Sequence, residues 1–405
     1  MARGIPPLRP GHELQLLEGS REFFPALVSA IDASRSEVLL ETYIFDFTGS
    51  ATEVAYALER AARRGVAVRV VVDGFGTPEL PPACVARWDL AGVQWAVFSR
   101  PGFFGLLMPG QWRRLHRKLC VVDGEVGFCG GINILDDFHD PNHGELASPR
   151  FDFSLRVGGP LVAEMRATMH RQWSRIEAIG QLRKARLAGA LGFVRAVANE
   201  RRGHVTPPTH SDPNARAALL LRDNLRNRAV IERAYLRAIG RARSEIVIAN
   251  AYFVPGGRLR RALVKAAKRG VQVKLLLQGR YEYFMQYYAA RPVFGVLLAA
   301  GVQIHEYAPS FLHAKVAVVD GRWATVGSSN LDPLSLLLAR EANVVVDDAR
   351  FAAHLRERLA YAMQHEGKRM EASEYERRPP LQRGKEWLAR MIMRIALIVQ
   401  GKTYR

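Results

Sequence analysis

The chain carries one set of polar residues twice, at one spacing. His116 is followed by Lys118, Asp123, Gly130, Gly131 and Asn133, and His313 by Lys315, Asp320, Gly327, Ser328 and Asn330. In both copies the steps are two residues from His to Lys, five to Asp, seven to Gly and three to Asn. A single His-x-Lys is common on strand edges, but a whole pattern repeated at matched spacing is not. Histidine supplies a nucleophile and a proton carrier near neutral pH, and lysine supplies a positive charge. Two such pairs suit attack on a phosphodiester without a metal or other cofactor.

Brought face to face, the copies would surround one phosphate with two imidazoles, two ammonium groups and the amides of Asn133 and Asn330. One imidazole can attack phosphorus and become a phosphohistidine. The other can protonate the leaving alkoxide and then deprotonate an incoming alcohol. Lys118, Lys315 and the asparagines would hold the non-bridging oxygens. Gly131 and Ser328, with the glycines before them, are expected to let backbone approach the substrate. A nucleophilic imidazole also needs an acceptor on its second nitrogen. Asp152 and Glu341, each shortly after a motif and ahead of an apolar run, are the candidates for orienting the histidines. Asp123 and Asp320 are counted with the catalytic set, although an Asp before Gly is also an ordinary turn.

The elements that must carry these residues are duplicated too. Ser36-Glu37-Val38 leads to Tyr43-Ile44-Phe45, and Ser244-Glu245-Ile246 leads to Tyr252-Phe253-Val254. Arg64-Gly65-Val66 pairs with Arg269-Gly270-Val271, and Ala91-Gly92-Val93 with Ala300-Gly301-Val302, at offsets of about 200 residues. Such a long period means a duplicated domain, not a solenoid. Within a half, helical and strand patterns alternate: helix over 21–33, strand over 37–45, helix over 50–64 closed by Gly65, strand over 66–73, and a helix opened by Gly159-Pro160 and running through Trp173. The alternation predicts an α/β fold of two pseudo-symmetric halves. Each is expected to be a mostly parallel mixed sheet covered by helices, with the site between them. The expected divisions are a first domain over 10–178, a basic linker over 179–214, a second domain over 215–370 and a basic amphipathic tail over 371–405.

Fifty-eight Lys and Arg against 39 Asp and Glu leave a net charge of +19, which calls for a polyanionic partner. The apolar share is that of a globular protein. Cys84, Cys120 and Cys129 lack metal-ligand spacing and read as reduced core cysteines. No apolar run reaches the roughly 18–20 residues of a spanning helix, and residues 1–19 lack the apolar stretch of a signal peptide. These features predict a protein neither secreted nor integral to a membrane.

The pattern His-x-Lys-x4-Asp with its downstream Gly-Gly or Gly-Ser and Asn resembles the phospholipase D superfamily. Ile248-Ala-Asn-Ala-Tyr252-Phe253, and the run from Trp323 through Gly327-Ser328-Ser329-Asn330-Leu331-Asp332 to Glu341-Ala-Asn-Val344, resemble bacterial cardiolipin synthases of the B type, which lack N-terminal spanning helices. The likeness covers about residues 10–370. It implies transfer of a phosphatidyl group from one phosphatidylglycerol to another, with His116 as nucleophile, His313 as acid/base and no metal. The implied partners are anionic phospholipids, phosphatidylglycerol and cardiolipin, and the implied place is the cytoplasmic face of the bacterial inner membrane.

A docking surface is therefore expected. Leu388, Met391, Ile392, Ile395, Ile398 and Val399 recur at helical spacing, with Arg390 and Arg394 elsewhere. This fits an interfacial helix and also a helix packed on the core. Phe103, Phe104, Leu106, Leu107 and Met108 offer a second apolar wedge, and Lys184, Arg186, Arg195 and Arg201 a basic one. The same motifs would serve a phospholipase D that hydrolyses its lipid to phosphatidic acid, or a nuclease. No nucleic-acid recognition motif accompanies them, so no nucleic acid is expected.

Overall fold

The structure is a computed structural model that describes residues 4–100, 113–140, 143–188, 215–223, 227–281, 284–332, 339–376 and 379–399. The apolar loop at 103–108, the basic side chains at 184–201 and the side chains of the last helix beyond Ile392 lie outside the described residues.

Each half is built on one mixed sheet. The first orders its strands Glu13–Glu18, Phe153–Gly158, Val126–Gly130, Lys118–Val122, Glu37–Thr42, Ala67–Asp73, Gln94–Phe98. The second repeats the order with Arg216–Arg222, Ala339–Asp347, Trp323–Gly327, Lys315–Val319, Glu245–Asn250, Gln272–Gln278, Gln303–Tyr307, and adds Gly367–Arg369. The α/β duplication stands, but "mostly parallel" needs correction. Among the described residues the two steps Glu37–Thr42 to Ala67–Asp73 to Gln94–Phe98 are parallel in the first sheet, as are their counterparts in the second, where the short strand Arg114–Leu115 adds one more parallel pairing on Ala339–Asp347. The motif strand forms an antiparallel hairpin with Val126–Gly130 and pairs antiparallel with Glu37–Thr42. Continuous apolar runs report burial on both faces. They do not report strand direction.

That burial comes from three layers. Val38, Leu40, Cys120, Val122 and Phe128 face the helices Gly19–Asp32, Thr52–Arg63 and Pro82–Ala91 in an outer core. Leu39, Leu119, Val121 and Leu155 face the other way. They meet Val247, Val316, Val318 and Val344 of the second sheet, with Leu161, Met165, Phe351 and Leu355 wedged beside them. Two sheets packed through a shared core make the halves one body. The helix Pro160–Ala188 runs on through the first ten residues assigned to the linker. A Cβ at Gly180 would meet nothing, and the glycine is tolerated inside the helix. Cys120 and Cys129 are buried in the core, and burial pushes the Cys129 thiol up to about 12.

Asp123 and Asp320 hold the fold, not the chemistry. Each adopts a left-handed conformation, φ 52° and 51°, at the end of its motif strand. The Asp123 carboxylate accepts N–H bonds from Arg35, Ser36 and Glu37 at 2.8–2.9 Å, and Asp320 accepts from Arg243, Ser244 and Glu245 at 2.8–3.0 Å. A strand rises about 3.3 Å per residue, so each lies roughly 16 Å from its lysine. They fasten the turn to the start of the neighbouring strand, and placing them in the catalytic set is corrected.

One pair breaks the symmetry of the inner layer. Arg117 Nη2 donates to Glu41 at 3.0 Å, Arg117 Nε bonds the same carboxylate, and both residues are buried. At the matching positions of the second half stand Ala314 and Ala249, both fully buried. Arg117→Ala leaves Glu41 charged and unpaired between the sheets, an expected loss of about 3–5 kcal/mol in urea unfolding. Adding Glu41→Ala should recover part of it. A double variant no more stable than the single would count against the pair.

Candidate active site

Neither histidine lies in its motif strand. His116 sits between a two-residue strand, Arg114–Leu115, and the strand beginning at Lys118. Arg114–Leu115 pairs with Ala339 and Arg340 of the opposite half, and the His116 N–H donates to the Arg340 carbonyl at 3.0 Å. In mirror fashion the His313 N–H donates to the Phe151 carbonyl at 2.9 Å. Each motif is thus stitched by backbone to the other half just where its histidine projects.

The stitching sets up an exchange of carboxylates. His116 Nδ1 lies 3.1 and 3.2 Å from the two oxygens of Glu341, and His313 Nδ1 lies 2.6 Å from Asp152 Oδ2. Each imidazole is oriented by the half it does not belong to. Nδ1–H is then held by a carboxylate, and Nε2 is the nitrogen left for a substrate. Lys118 Nζ donates to the His116 carbonyl at 2.7 Å, and Lys315 Nζ bonds the His313 carbonyl. Both ammonium groups therefore sit beside their histidines.

Gly131 and Ser328 each stand against a carboxylate that orients a histidine. A methyl on Gly131 would come within 2.2 Å of Asp152, so glycine is required for the carboxylate to lie there. Ser328 is fully buried and its hydroxyl donates to Glu341. Asn133 Oδ1 accepts from Ile44 N–H at 3.1 Å, and Asn330 Oδ1 from Tyr252 N–H at 3.4 Å. Those donors fix each amide so that its NH2 is the end left to a ligand.

Three contributors were not read from the sequence. The Tyr43 ring lies 4.8 Å from the His116 ring and 5.3 Å from Lys118 Nζ. Arg150 helps depress His313. Arg222 stands opposite Glu341 in the sheet. Tyr43 was hidden by a register error. Ile44 and Tyr252 are the residues bonded to the two asparagines, and Phe45 and Phe253 make the matching bridges. The counterpart of Tyr43 is therefore Ala251, not Tyr252. Aligning strand ends, Thr42 with Asn250, would have found it.

Burial and charge make the two halves electrostatically unequal. Burial depresses both imidazoles, His313 well below the ordinary value, and Lys315 and Lys118 push His313 further. Burial also pushes Lys118 down to about 7. Asp152 is pushed up to about 7 by burial, with nearby Asp137 adding to the rise. Glu341 moves the other way. Its burial is outweighed by His116, Lys118 and the Ser328 hydroxyl, and the Arg222 cation lies alongside. Glu341 is the firmly ionised member of the pair. Among the described residues no group of three or more His, Cys, Asp and Glu is placed to hold a metal ion.

The family model described as "Cardiolipin synthase, PLD-like domain" matches residues 27–145 and 235–363, more than half the chain and one stretch in each half. The chain belongs to this family. Cardiolipin synthase B of Salmonella typhi is 38% identical over 366 residues, covering 90% of this chain and 84% of that one. Cardiolipin synthase B of Escherichia coli K12 is 39% identical over 352 residues, covering 87% and 80%. The crystal structure of phosphatidylserine synthase from Haemophilus influenzae Rd KW20 superposes with a TM-score of 0.65 at 14% identity, covering 97% of this chain and 95% of the other. At that identity it speaks for the two-half fold alone. No helix among the described residues is long and apolar enough to cross a membrane.

Proposed function

We propose that this chain is a cardiolipin synthase that transfers a phosphatidyl group between two phosphatidylglycerol molecules through a phosphohistidine. The exchanged His–carboxylate pairs carry this reading, together with the membership of the family. His116, held by the ionised Glu341, attacks phosphorus through Nε2. The bond from phosphorus to glycerol oxygen breaks, and that oxygen takes the proton from His313. The phosphodiester's own negative charge offsets the lysines that depress His313, so His313 can carry that proton. In the second step His313 takes the proton of the acceptor hydroxyl. The acceptor oxygen then bonds phosphorus, and the electron pair of the P–N bond returns to His116. Lys118, Lys315, Asn133 and Asn330 hold the non-bridging oxygens throughout.

The experiment is direct. Purified protein is incubated with phosphatidylglycerol vesicles and the lipid products are resolved. Cardiolipin with released glycerol is expected. Phosphatidic acid alone would replace this reading with hydrolysis.

The lipid is reached from the membrane surface, and we place the protein peripherally on the cytoplasmic face of a bacterial inner membrane. The final helix Pro380–Val399 divides the work along its faces. Ala389 is 0% and Glu386 3% exposed, whereas Trp387, Leu388 and Ile392 are 64%, 47% and 43% exposed. One face of the helix packs on the protein, and the exposed face supports a docking role on lipid. Truncation at 386 would also strip the packed face. Trp387→Ser with Ile392→Ser is the cleaner variant. Its partitioning onto anionic vesicles is expected to fall severalfold, because two large apolar side chains leave the interface. Unchanged sedimentation with vesicles would remove the helix from the docking surface.

A further inference from the structure

The pseudo-symmetric halves also differ beside their histidines. The residue before each histidine donates its N–H to the end of a parallel strand: Leu115 to Asp73 at 2.7 Å, Leu312 to Gln278 at 3.2 Å. In the first half this corner is closed. Asp73 also accepts from Phe75 and Gly76, at 2.9 and 3.3 Å. Tyr43 fills the space, its ring so close that a methyl on Gly76 would lie 2.9 Å from it. In the second half Ala251 replaces Tyr43, and a solvent-open pocket lies beside Ala251, Tyr252 and Gln278.

The pocket's lining is suited to an anion. Leu312 N–H fixes Gln278 Oε1, so Nε2 is turned away from it, and Nε2 is buried with no hydrogen-bond partner. Where the first half has a carboxylate, the second has an unused donor. Two arginines complete the walls. Arg291 is neutralised by Glu306 at 2.7 Å and stacks on Tyr287 at 4.4 Å. Arg280 bonds the Ala308 carbonyl at 3.1 Å through Nε and pairs with no carboxylate among the described residues. Among the described residues, the Arg280 guanidinium, which also lies 6.0 Å from the Phe311 ring, and the Gln278 amide thus remain for a ligand.

Position says which ligand. His313 serves first the leaving alcohol and then the incoming one, so both occupy its side of phosphorus. The leaving glycerol carries no further charge. The acceptor lipid carries a phosphodiester of its own. We propose that this pocket seats the phosphoglycerol headgroup of the acceptor lipid, with its phosphate on Arg280 and the Gln278 amide. The inference rests on the cardiolipin-forming reading above and adds to it the place where the acceptor's headgroup binds. The pocket presents its hydroxyl to His313, which takes the proton as that oxygen bonds phosphorus and the P–N bond to His116 breaks.

The test compares two acceptors of one phosphoenzyme. With mixed vesicles of phosphatidylglycerol in neutral lipid, cardiolipin formation uses an acceptor with a phosphate. Incorporation of labelled free glycerol into phosphatidylglycerol uses one without. Two variants are measured, Arg280→Gln and Gln278→Glu; the second keeps the acceptor for Leu312 N–H and places a negative charge in the pocket. The ratio of cardiolipin formation to glycerol exchange is expected to fall by about tenfold or more in each, as for loss of a charge-assisted hydrogen bond. A wild-type ratio in both variants overturns the proposal. So does an equal loss of both reactions, which would mark the pocket as structural. A wild-type protein that exchanges glycerol but forms no cardiolipin overturns the underlying function and this proposal together, and is seen before any variant is made.

Discussion

His116→Ala is expected to abolish cardiolipin formation and glycerol exchange alike, by more than the factor of about 10²–10⁴ typical of losing a proton-transfer group. In the proposed path the His116 imidazole carries the covalent intermediate, so the two-step route is lost with it. His313→Ala should cost about 10²–10⁴ and leave a different trace. The nucleophile and its Glu341 partner remain, while the leaving alkoxide goes unprotonated and the acceptor is not activated. Exposure to phosphate-labelled phosphatidylglycerol, brief for wild type and prolonged for the slower variants, followed by alkaline denaturation, should leave label on wild type and on His313→Ala protein but none on His116→Ala. Label on the His116 variant and not on the His313 variant would exchange their roles. Substantial turnover in both variants would remove the paired-histidine mechanism.

Glu341→Gln is expected to be nearly as damaging, by about 10³–10⁴ in kcat, because an amide can present its NH2 to Nδ1 and hold the wrong tautomer. The same change strips the charge that faces Arg222 and stabilises a positive phosphoimidazole. Asp152→Asn should cost less at neutral pH and change the pH profile instead. Asp152 is pushed up to about 7 by burial. In the wild type its carboxylate is therefore lost as pH falls through that region, and kcat/KM should fall with it. In Asp152→Asn that acid limb should vanish. A profile over pH 5–9 that keeps its acid limb in the variant would assign the limb to another group. Equal losses in the two carboxamide variants would contradict the electrostatic inequality of the halves.

The duplication, both histidines, both lysines and both orienting carboxylates were legible because chemistry constrains residue type and spacing together. The partner of each carboxylate was not. Asp152 follows His116 in sequence yet orients His313, because strand pairing between halves decides the match. Asp123 and Asp320 were misplaced for a related reason. A motif alignment records that they recur, and only a left-handed backbone with three N–H donors explains why. Residue type misled at Tyr43. Two tyrosines near two strand ends invite alignment, but the hydrogen bonds that Asn133 and Asn330 accept from Ile44 and Tyr252 shift the frame by one. The Arg117–Glu41 pair could not be anticipated, since its counterpart in the second half is two alanines.

The crossed backbone bonds at His116 and His313 give the molecule a property that neither sheet has alone. A slip of one half against the other would detune both imidazoles at once, since each borrows its carboxylate and its carbonyl anchor across the seam. Catalysis is therefore a readout of alignment. The shared core between the sheets works as an optical bench does, keeping two separately mounted elements on one axis.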